Sequence, residues 1–238
     1  DGLWGALWGE AGFELERAIV VGFRLPKALT SLLAGIGLAV SGLLMQTAFR
    51  NPLAGPYVLG ISSGASLGAA LAILAVGSGV LISPFSLAAS AWLGSAGALL
   101  LILMASVRLR SNATLLIFGV MLSAVAGAGV SILQYVSDAH ALKRFTLWAL
   151  GSLGNVTGGA LLLLTVGVLV GLLLAYLCVR PLNLLLLGSE AAHRLGLPLG
   201  VSRMLVFGAT TLLAGTVTAY CGPIGFIGIA VPHVARWV

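Results

Sequence analysis

The chain alternates long apolar stretches with short clusters of charged residues, and these clusters divide it into segments of membrane length. The first apolar stretch covers residues 25–49 and has a basic residue at each end. With a rise of about 1.5 Å per residue, such a helix can cross a hydrocarbon core of roughly 30 Å. Residues 51–107 contain no charge at all, and Ser83-Pro84 divides this region into two spans.

Extended along the chain, this pattern predicts an all-α bundle of membrane-spanning helices with about seven crossings. The predicted spans are residues 25–49, 57–80, 84–107, 111–137, 161–179, 204–220 and 224–237. Ser111 or Asn112 is expected to cap the fourth span. The last segment follows a break at Gly222-Pro223 and is short, which predicts a tilted or partly re-entrant helix facing protein or a water-filled cavity.

Three segments outside the spans mix charged and apolar residues. Residues 1–24 combine tryptophans with acidic and basic side chains, which predicts an outer or interfacial segment or, alternatively, a disordered end. Residues 138–150 predict a short interfacial helix. Residues 182–200 form a short amphipathic, charge-bearing stretch between two spans, and residues 25–238 as a whole are assigned to one transmembrane domain.

The composition excludes a soluble protein, because 60% of the residues are hydrophobic and only 8% are charged. Soluble domains carry roughly 25% charged residues. The net charge of +6 does not indicate nucleic-acid binding, since the basic residues are scattered singly at the ends of apolar runs. The topology places the two cysteines, Cys178 and Cys221, near opposite faces, so we expect no disulfide between them.

The distribution of Lys and Arg orients the bundle, because cytoplasmic loops carry an excess of these residues. Placing residues 1–24 outside gives seven inner and five outer basic residues, which favours that orientation. The inner set is Arg50, Arg108, Arg110, Arg180, Arg194, Arg203 and Arg236, and the outer set is Arg17, Arg24, Lys27, Lys143 and Arg144. Residues 182–200 are then cytoplasmic.

One motif has the pattern of a hydrolase nucleophile. Residues 60–64 match G-x-S-x-G with Ser62 at the centre, a motif that requires a strand–turn–helix context and a histidine partner. Here the motif lies at the start of a membrane helix, so an intramembrane hydrolase is the minor alternative. Gly64 and Gly68 form a GxxxG pattern, which predicts close helix packing instead. We therefore predict no catalytic residue and no enzymatic activity.

The predicted spans contain no deeply placed ionisable residue, and no phosphate-binding GK[ST] loop occurs in the chain. The first observation disfavours an ion-coupled secondary transporter or a channel, which stays the main alternative. The second predicts that any active transport takes its energy from another protein. No metal site and no bound cofactor are predicted for this chain, and His233 is interpreted as an interface residue.

Several strings, in this order, are typical of one family. They are RLP at 24–26, MQTAFRNPLA at 45–54, LGISSGAS at 59–66, RPLNLLLLG at 180–188, GPIGFIG at 222–228, and VPH at 231–233 followed by Arg236. The chain resembles the FecCD-type permeases of binding-protein-dependent ABC importers, which take up iron–siderophore complexes, haem and cobalamin. Members usually have ten spans, so the resemblance implies a fragment without the first and the last two.

The resemblance implies a permease subunit that pairs with a second permease, as a homo- or heterodimer. A separate cytoplasmic ATPase, which uses the ATP, would dock on residues 182–200. Glu190-Ala191-Ala192 followed by Gly196 looks like the EAA-x-x-x-G coupling motif of ABC importers. The residues predicted for this contact are Ser189, Glu190, Ala191, Ala192, His193, Arg194 and Gly196. Ser189 is expected to cap a short helix, Ala191 and Ala192 to admit a partner surface, and Gly196 and Pro198 to end the helix.

The resemblance also implies a periplasmic or surface-tethered binding protein at the outer face. Lys143 and Arg144 are the predicted contacts, with interfacial anchoring as the alternative. Ser123, Ser131 and Gln134 of the fourth span are predicted to line the pathway. The implied location is the cytoplasmic membrane of a prokaryote, as a multi-pass protein in contact with lipid. The sequence does not choose between an iron chelate, haem and cobalamin.

Overall fold

The computed structural model describes residues 14–75, 83–109 and 111–237, and in these ranges the protein is a bundle of helices without β-strands. The helices are α1 (Glu14–Phe49), α2 (Ile61–Ala75), α3 (Pro84–Arg108), α4 (Asn112–Val136), α5 (Ala139–Ala149), α6 (Gly158–Leu177), α7 (Val179–Leu185), α8 (Ser189–Arg194), α9 (Leu199–Cys221) and α10 (Ile227–Ala235). Five of them, α1, α3, α4, α6 and α9, are long and apolar enough to cross a membrane. The predicted all-helical membrane bundle is confirmed.

The first helix is longer than the sequence predicted. The sequence pattern placed its start at residue 25, but α1 runs without interruption from Glu14 to Phe49 and has a π-helical turn at Val20–Arg24. The charged residues at 14–24 are compatible with the helix because their side chains are exposed on its surface. Residues 1–13 lie outside the described residues, and the interfacial position of residues 14–24 stays a prediction.

The second predicted span begins later than expected. Instead of a helix from residue 57, a short 3₁₀ turn at Pro56–Leu59 precedes α2, and Gly60 between them has a φ of 75°. The residues predicted as the end of this span, 76–80, lie outside the described residues. The GxxxG prediction is confirmed, since a Cβ on Gly64 would lie 2.5 Å from the carbonyl oxygen of Gly94 in α3. Glycine therefore permits α2 and α3 to pack backbone against backbone.

Both α4 and α5 begin with a side-chain cap. The Ser111 hydroxyl accepts a hydrogen bond from the Thr114 amide at 3.5 Å, so Ser111 rather than Asn112 caps α4. The Asp138 carboxylate accepts from the amides of His140 and Ala141 at 2.9 Å and caps the short helix α5. The short helix predicted within residues 138–150 is thereby confirmed.

The last described helix is short, as predicted. After α9 ends at Cys221 the chain continues without helix to Phe226, whose φ of 66° is unusual for a residue other than glycine. The helix α10 then has 9 residues, which at about 1.5 Å each is roughly half of a hydrocarbon core. It packs along the second half of α1, where the Gln46 side-chain amide donates to the carbonyl oxygen of Ile229 at 3.2 Å.

The non-helical stretches before α2 and α10 meet inside the bundle. The Tyr57 hydroxyl, in the turn before α2, donates to the carbonyl oxygen of Ile224, in the extended stretch before α10. Gly228 lies against α1 at Leu38, halfway along residues 25–49, so this junction is at mid-depth. Non-helical backbone is tolerated at that depth only when protein or water surrounds it. We call residues 55–60 and 224–228 the mid-depth junction.

Basic residues of the two predicted sets lie at opposite ends of the bundle, and we call these ends inner and outer after the predicted orientation. The Arg50 side chain approaches Gly188, and Arg203 donates to the Ser106 carbonyl oxygen, so these inner-set arginines gather where α1 and α3 end and α8 and α9 begin. Arg110 lies outside the described residues. At the other end, α5 packs against the end of α2, and the outer-set residues Arg17, Arg24, Lys27 and Lys143 are exposed.

The two cysteines are free and buried, as predicted. Cys178 follows α6 at the inner end, and Cys221 closes α9 at the outer end. Burial raises the pKa of the Cys178 thiol, so it stays protonated and unreactive at neutral pH.

Candidate functional site

The segment 182–200 is built from two short helices held against the inner end of the bundle. α7 follows α6 through Cys178 and buries Leu182 and Leu185, which anchor it in the core. The next two residues, Leu186 and Leu187, are 51% and 62% exposed. The apolar side chains of this segment therefore divide between an anchor and an exposed surface.

The start of α8 differs from the prediction. Ser189 is the first residue of the helix rather than its cap, and the cap position belongs to Gly188. Gly188 has a φ of 105°, a conformation that residues with a Cβ rarely adopt, and no side chain caps this helix. The turn between α7 and α8 requires glycine at the cap position, so Ser189 follows the cap as the first residue of the helix.

The end of α8 is the one predicted. Gly196 is left-handed with a φ of 85°. Its amide donates to the His193 carbonyl oxygen at 3.0 Å, and the Leu197 amide donates to the Ala192 carbonyl oxygen at 3.0 Å. These two hydrogen bonds form a Schellman motif. Leu197 and Ala192, which occupy the C″ and C3 positions of the motif, are both buried. Pro198 then directly precedes α9.

The exposed face of α8 is charged. Glu190, His193 and Arg194 are all exposed, and the Glu190 carboxylate lies in the first turn, where the helix dipole favours an acid. Ala191 is half-buried, whereas Ala192 is fully buried in the core. Ala192 was expected to admit a partner surface, but it instead fixes α8 to the bundle.

Arg50 connects α1 to this segment. It ends α1 in a left-handed conformation with a φ of 50°, and the Asn51 amide donates to the Gln46 carbonyl oxygen at 3.0 Å. Its guanidinium Nη1 lies 3.4 Å from the position that a Cβ on Gly188 would take. The helix stop predicted from Arg50-Asn51-Pro52 is present, and the structure adds that the arginine side chain reaches α8.

Arg203 forms a polar network that the sequence did not predict. It is half-buried near the start of α9 and donates to the carbonyl oxygens of Ser106 at 3.2 Å and Leu109 at 3.5 Å. It also donates to the Asn112 Oδ1 at 3.3 Å, and the Asn112 amide donates to the Ala48 carbonyl oxygen at 3.4 Å. The network therefore joins the ends of α1 and α3 to the starts of α4 and α9.

The two residues predicted to contact a binding protein have different surroundings. Both lie on α5 at the outer end, but Lys143 is exposed, whereas Arg144 is half-buried and lines a cavity with Trp148 and Asn155. Neighbours on one helix point in directions about 100° apart, and here Lys143 points to the surface whereas Arg144 lines the cavity. The structure brings Arg24 and Lys27, two exposed residues of α1, to the same end of the bundle.

The three predicted pathway residues all lie on α4. Ser123 and Ser131 donate to the carbonyl oxygens of Gly119 and Gly127 at 3.0 and 3.1 Å, one turn earlier in the same helix, and Gln134 is half-buried. Only 17% of the apolar window of α4 is buried, compared with 72% for α9. Of the five long helices, α4 therefore has the smallest buried share in its apolar window.

The hydrolase alternative does not fit the structure. Ser62 lies in the first turn of α2, is 8% exposed, and has no strand before it. A nucleophile elbow requires an exposed serine on a strand–turn–helix corner. Among the described histidines, His140 and His193 lie on α5 and α8, and His233 lies on α10 beside Trp237, with ring centroids 5.6 Å apart.

Comparison with known proteins agrees with this architecture. The model of the FecCD transport family matches residues 2–238. The haemin transport system permease protein HmuU of Yersinia pestis is 39% identical over 240 residues, which cover 97% of this chain and 70% of that protein. The vitamin B12 import system permease protein BtuC of Klebsiella pneumoniae is 39% identical over 215 residues, which cover 90% of this chain and 63% of that protein.

A solved structure has the same fold. It is a metal-chelate type ABC transporter in an inward-facing conformation, with a TM-score of 0.84 and 35% sequence identity. The match covers 92% of this chain and 70% of that one. The chain thus spans between about three fifths and seven tenths of the length of the proteins it matches here.

Proposed function

The chain belongs to the FecCD transport family, and we propose that it is the permease subunit of an ATP-driven importer for a metal chelate. The proposed cargo is an iron–siderophore complex or a related chelate such as haem or cobalamin. The relatives are named for haemin and vitamin B12 transport, which supports this class. The observation that carries the proposal is the charged, exposed helix α8, fixed to the inner end of an otherwise apolar bundle.

We infer that α8 is the docking site of a separate ATPase. The sequence has no phosphate-binding GK[ST] loop, which supports a separate ATPase as the energy source. α8 offers Glu190, His193 and Arg194 to a partner, while Leu182, Leu185 and Ala192 hold the segment against the core. A rigidly seated, charged helix can transmit a force from the ATPase to the spans.

α1 is the proposed route of that force into the membrane. At its inner end Arg50 lies beside Gly188 at the start of α8. One turn earlier in α1, the Gln46 side-chain amide donates a hydrogen bond to the carbonyl oxygen of Ile229 in α10. One turn earlier again, Gly42 lies against Gly228 of the mid-depth junction. A displacement of α8 would therefore act on a helix that is packed directly on the interrupted segments.

On the outer face, the proposed partner is a substrate-binding protein. Lys143 is exposed on α5, and Arg24 and Lys27 are exposed at the same end of the bundle, so an acidic partner surface would be attracted there. The proposed pathway follows α4, the least buried span, at a contact with a second permease. Ser123, Ser131 and Gln134 would provide polar groups along it.

The docking proposal is tested by charge reversal on α8. We expect Glu190→Arg and Arg194→Glu, in the permease co-expressed with its ATPase, to lower ATPase co-purification at least about fivefold, because each variant reverses a charge that a partner surface complements. Lys143→Glu at the opposite end is the matched control, and it should keep the ATPase and weaken the binding protein instead. Normal ATPase retention by both α8 variants would overturn the docking assignment.

A further inference from the structure

A cavity of about 630 Å³ lies at the outer end of the bundle. Its walls come from α5, from the loop after α5, and from the adjoining ends of α3, α6 and α9. The polar lining residues are Arg144, Trp148, Ser152, Asn155, Thr157 and Tyr220. Cavities between about 300 and 1,000 Å³ are of the size that binds small molecules. The function proposed above does not use this cavity.

The charge of the cavity is positive. Arg144 lines it, and none of the described lining residues is an acid. A guanidinium offers five N–H donors in a planar fork, which matches the oxygens of a phosphate or carboxylate. Arg144 can thus keep contacts within the protein and still donate to a ligand. The chemistry of the lining therefore selects an anion.

The edge of the cavity is apolar. Phe23 of α1 and Leu147 of α5 line it with 70% and 59% of their side chains exposed. Trp148 is half-buried beside them and packs on Phe145, with ring centroids 6.0 Å apart. Tryptophan is enriched at the membrane–water interface, and exposed Phe and Leu side chains at that level contact acyl chains. A ligand here must therefore combine a negative head with apolar tails.

We propose that this cavity binds an anionic phospholipid of the outer leaflet. The phosphate group accepts hydrogen bonds from the Arg144 guanidinium, and the acyl chains lie against Phe23 and Leu147. The Ser152 amide donates to the Cys221 carbonyl oxygen at 2.7 Å in the cavity wall, so the lipid would brace α5 and its loop against the end of α9. Arg144 would then be a lipid ligand, whereas Lys143 would remain free for a protein partner.

The experiment uses the purified permease after removal of bound lipid. Phosphatidylglycerol or phosphatidylcholine is added back in detergent, and bound lipid is counted by native mass spectrometry while the melting temperature is followed. We expect phosphatidylglycerol to bind preferentially and to raise the Tm. Arg144→Gln should lower its binding about tenfold or more, because charge-assisted hydrogen bonds to the phosphate are lost. The matched control Lys143→Gln removes the same charge one residue away and should bind as the wild type does.

Four outcomes would overturn the proposal. They are equal binding of the two lipids, equal loss in Lys143→Gln, full retention in Arg144→Gln, and an equal Tm increase from inorganic phosphate alone. If Arg144→Gln does not fold, Arg144→Lys replaces it and should keep the preference for phosphatidylglycerol at reduced affinity. Loss of that preference would contradict the proposal. The assay needs neither ATPase nor binding protein, so its failure leaves the proposed transport function unaffected.

Discussion

At the scale of single residues, a few polar side chains hold the ends of helices together in a bundle that is otherwise apolar. Arg203 makes the most such contacts, since its guanidinium donates hydrogen bonds to two carbonyl oxygens at the end of α3 and to the Asn112 side chain. Arg50 adopts a left-handed conformation that is uncommon for its residue type and places its guanidinium beside α8. In an apolar bundle, such bonds fix the positions of the ends of helices.

Replacing Arg203 tests this role. We expect Arg203→Met to lower the free energy of unfolding by about 2–3 kcal/mol, because hydrogen bonds from a charged group are lost and half-buried carbonyl oxygens are left unpaired. Arg236→Met, which changes an exposed arginine after α10, is the control and should have little effect. Thermal unfolding in detergent measures both. Equal stability of the two variants would show that the Arg203 network contributes nothing.

At the scale of helices, the close contacts are made by glycines. A Cβ on Gly42 would overlap the carbonyl oxygen of Gly228, so α1 and α10 touch through their backbones at the mid-depth junction. Gly64 and Gly94 do the same for α2 and α3. Such contacts favour van der Waals packing between helices, which replaces the hydrophobic effect as the driving force inside a membrane.

A single methyl group at the junction is therefore expected to be costly. We predict that Gly42→Ala lowers the stability by about 1–3 kcal/mol, because the methyl group overpacks a contact with backbone that has no rotamer to change. The control is Gly35→Ala in the same helix, where nothing lies within 4 Å of the added Cβ. Alanine is the better helix former, so this control should keep or slightly raise the Tm. A Tm for Gly42→Ala at or above that of Gly35→Ala would contradict the packing.

At the scale of the whole molecule, the bundle separates three regions along the membrane normal. The inner end presents α8, the middle contains the junction of two interrupted helices, and the outer end presents basic side chains and a cavity. Interrupted helices at mid-depth occur in transport proteins, in which their non-helical backbone is surrounded by protein or lines a water-filled cavity. The arrangement suits a permease driven from its inner face.

Reconstitution tests the driving force. With its ATPase and binding protein in proteoliposomes, the permease should take up a chelate only when ATP is supplied on the ATPase side. An ionophore should not abolish this uptake, because the predicted spans contain no deeply placed ionisable residue to couple an ion gradient. Uptake driven by a proton or sodium gradient without ATP would instead support the secondary-transporter or channel alternative.

The sequence by itself determined that this is a helical membrane protein and where most of its helices lie along the chain. Apolar run length, the positions of Lys and Arg, the capping signal at Ser111 and the helix stop at Gly196 act locally, so one sequence is enough to find them. The GxxxG pattern also identified a packing face correctly, because its spacing places both glycines on one side of a helix.

Only the tertiary structure decided which of these residues meet. Ser189 was displaced from the cap of α8 because the turn requires the backbone of Gly188, and Ala192 was buried because the Schellman motif turns it toward the core. Arg144 lines a cavity whose other walls come from α3, α6 and α9, whereas Lys143 is exposed. The mid-depth junction joins Tyr57 to Ile224 across more than half of the chain. Such contacts depend on how helices dock, and hydrophobic periodicity contains no information about docking partners.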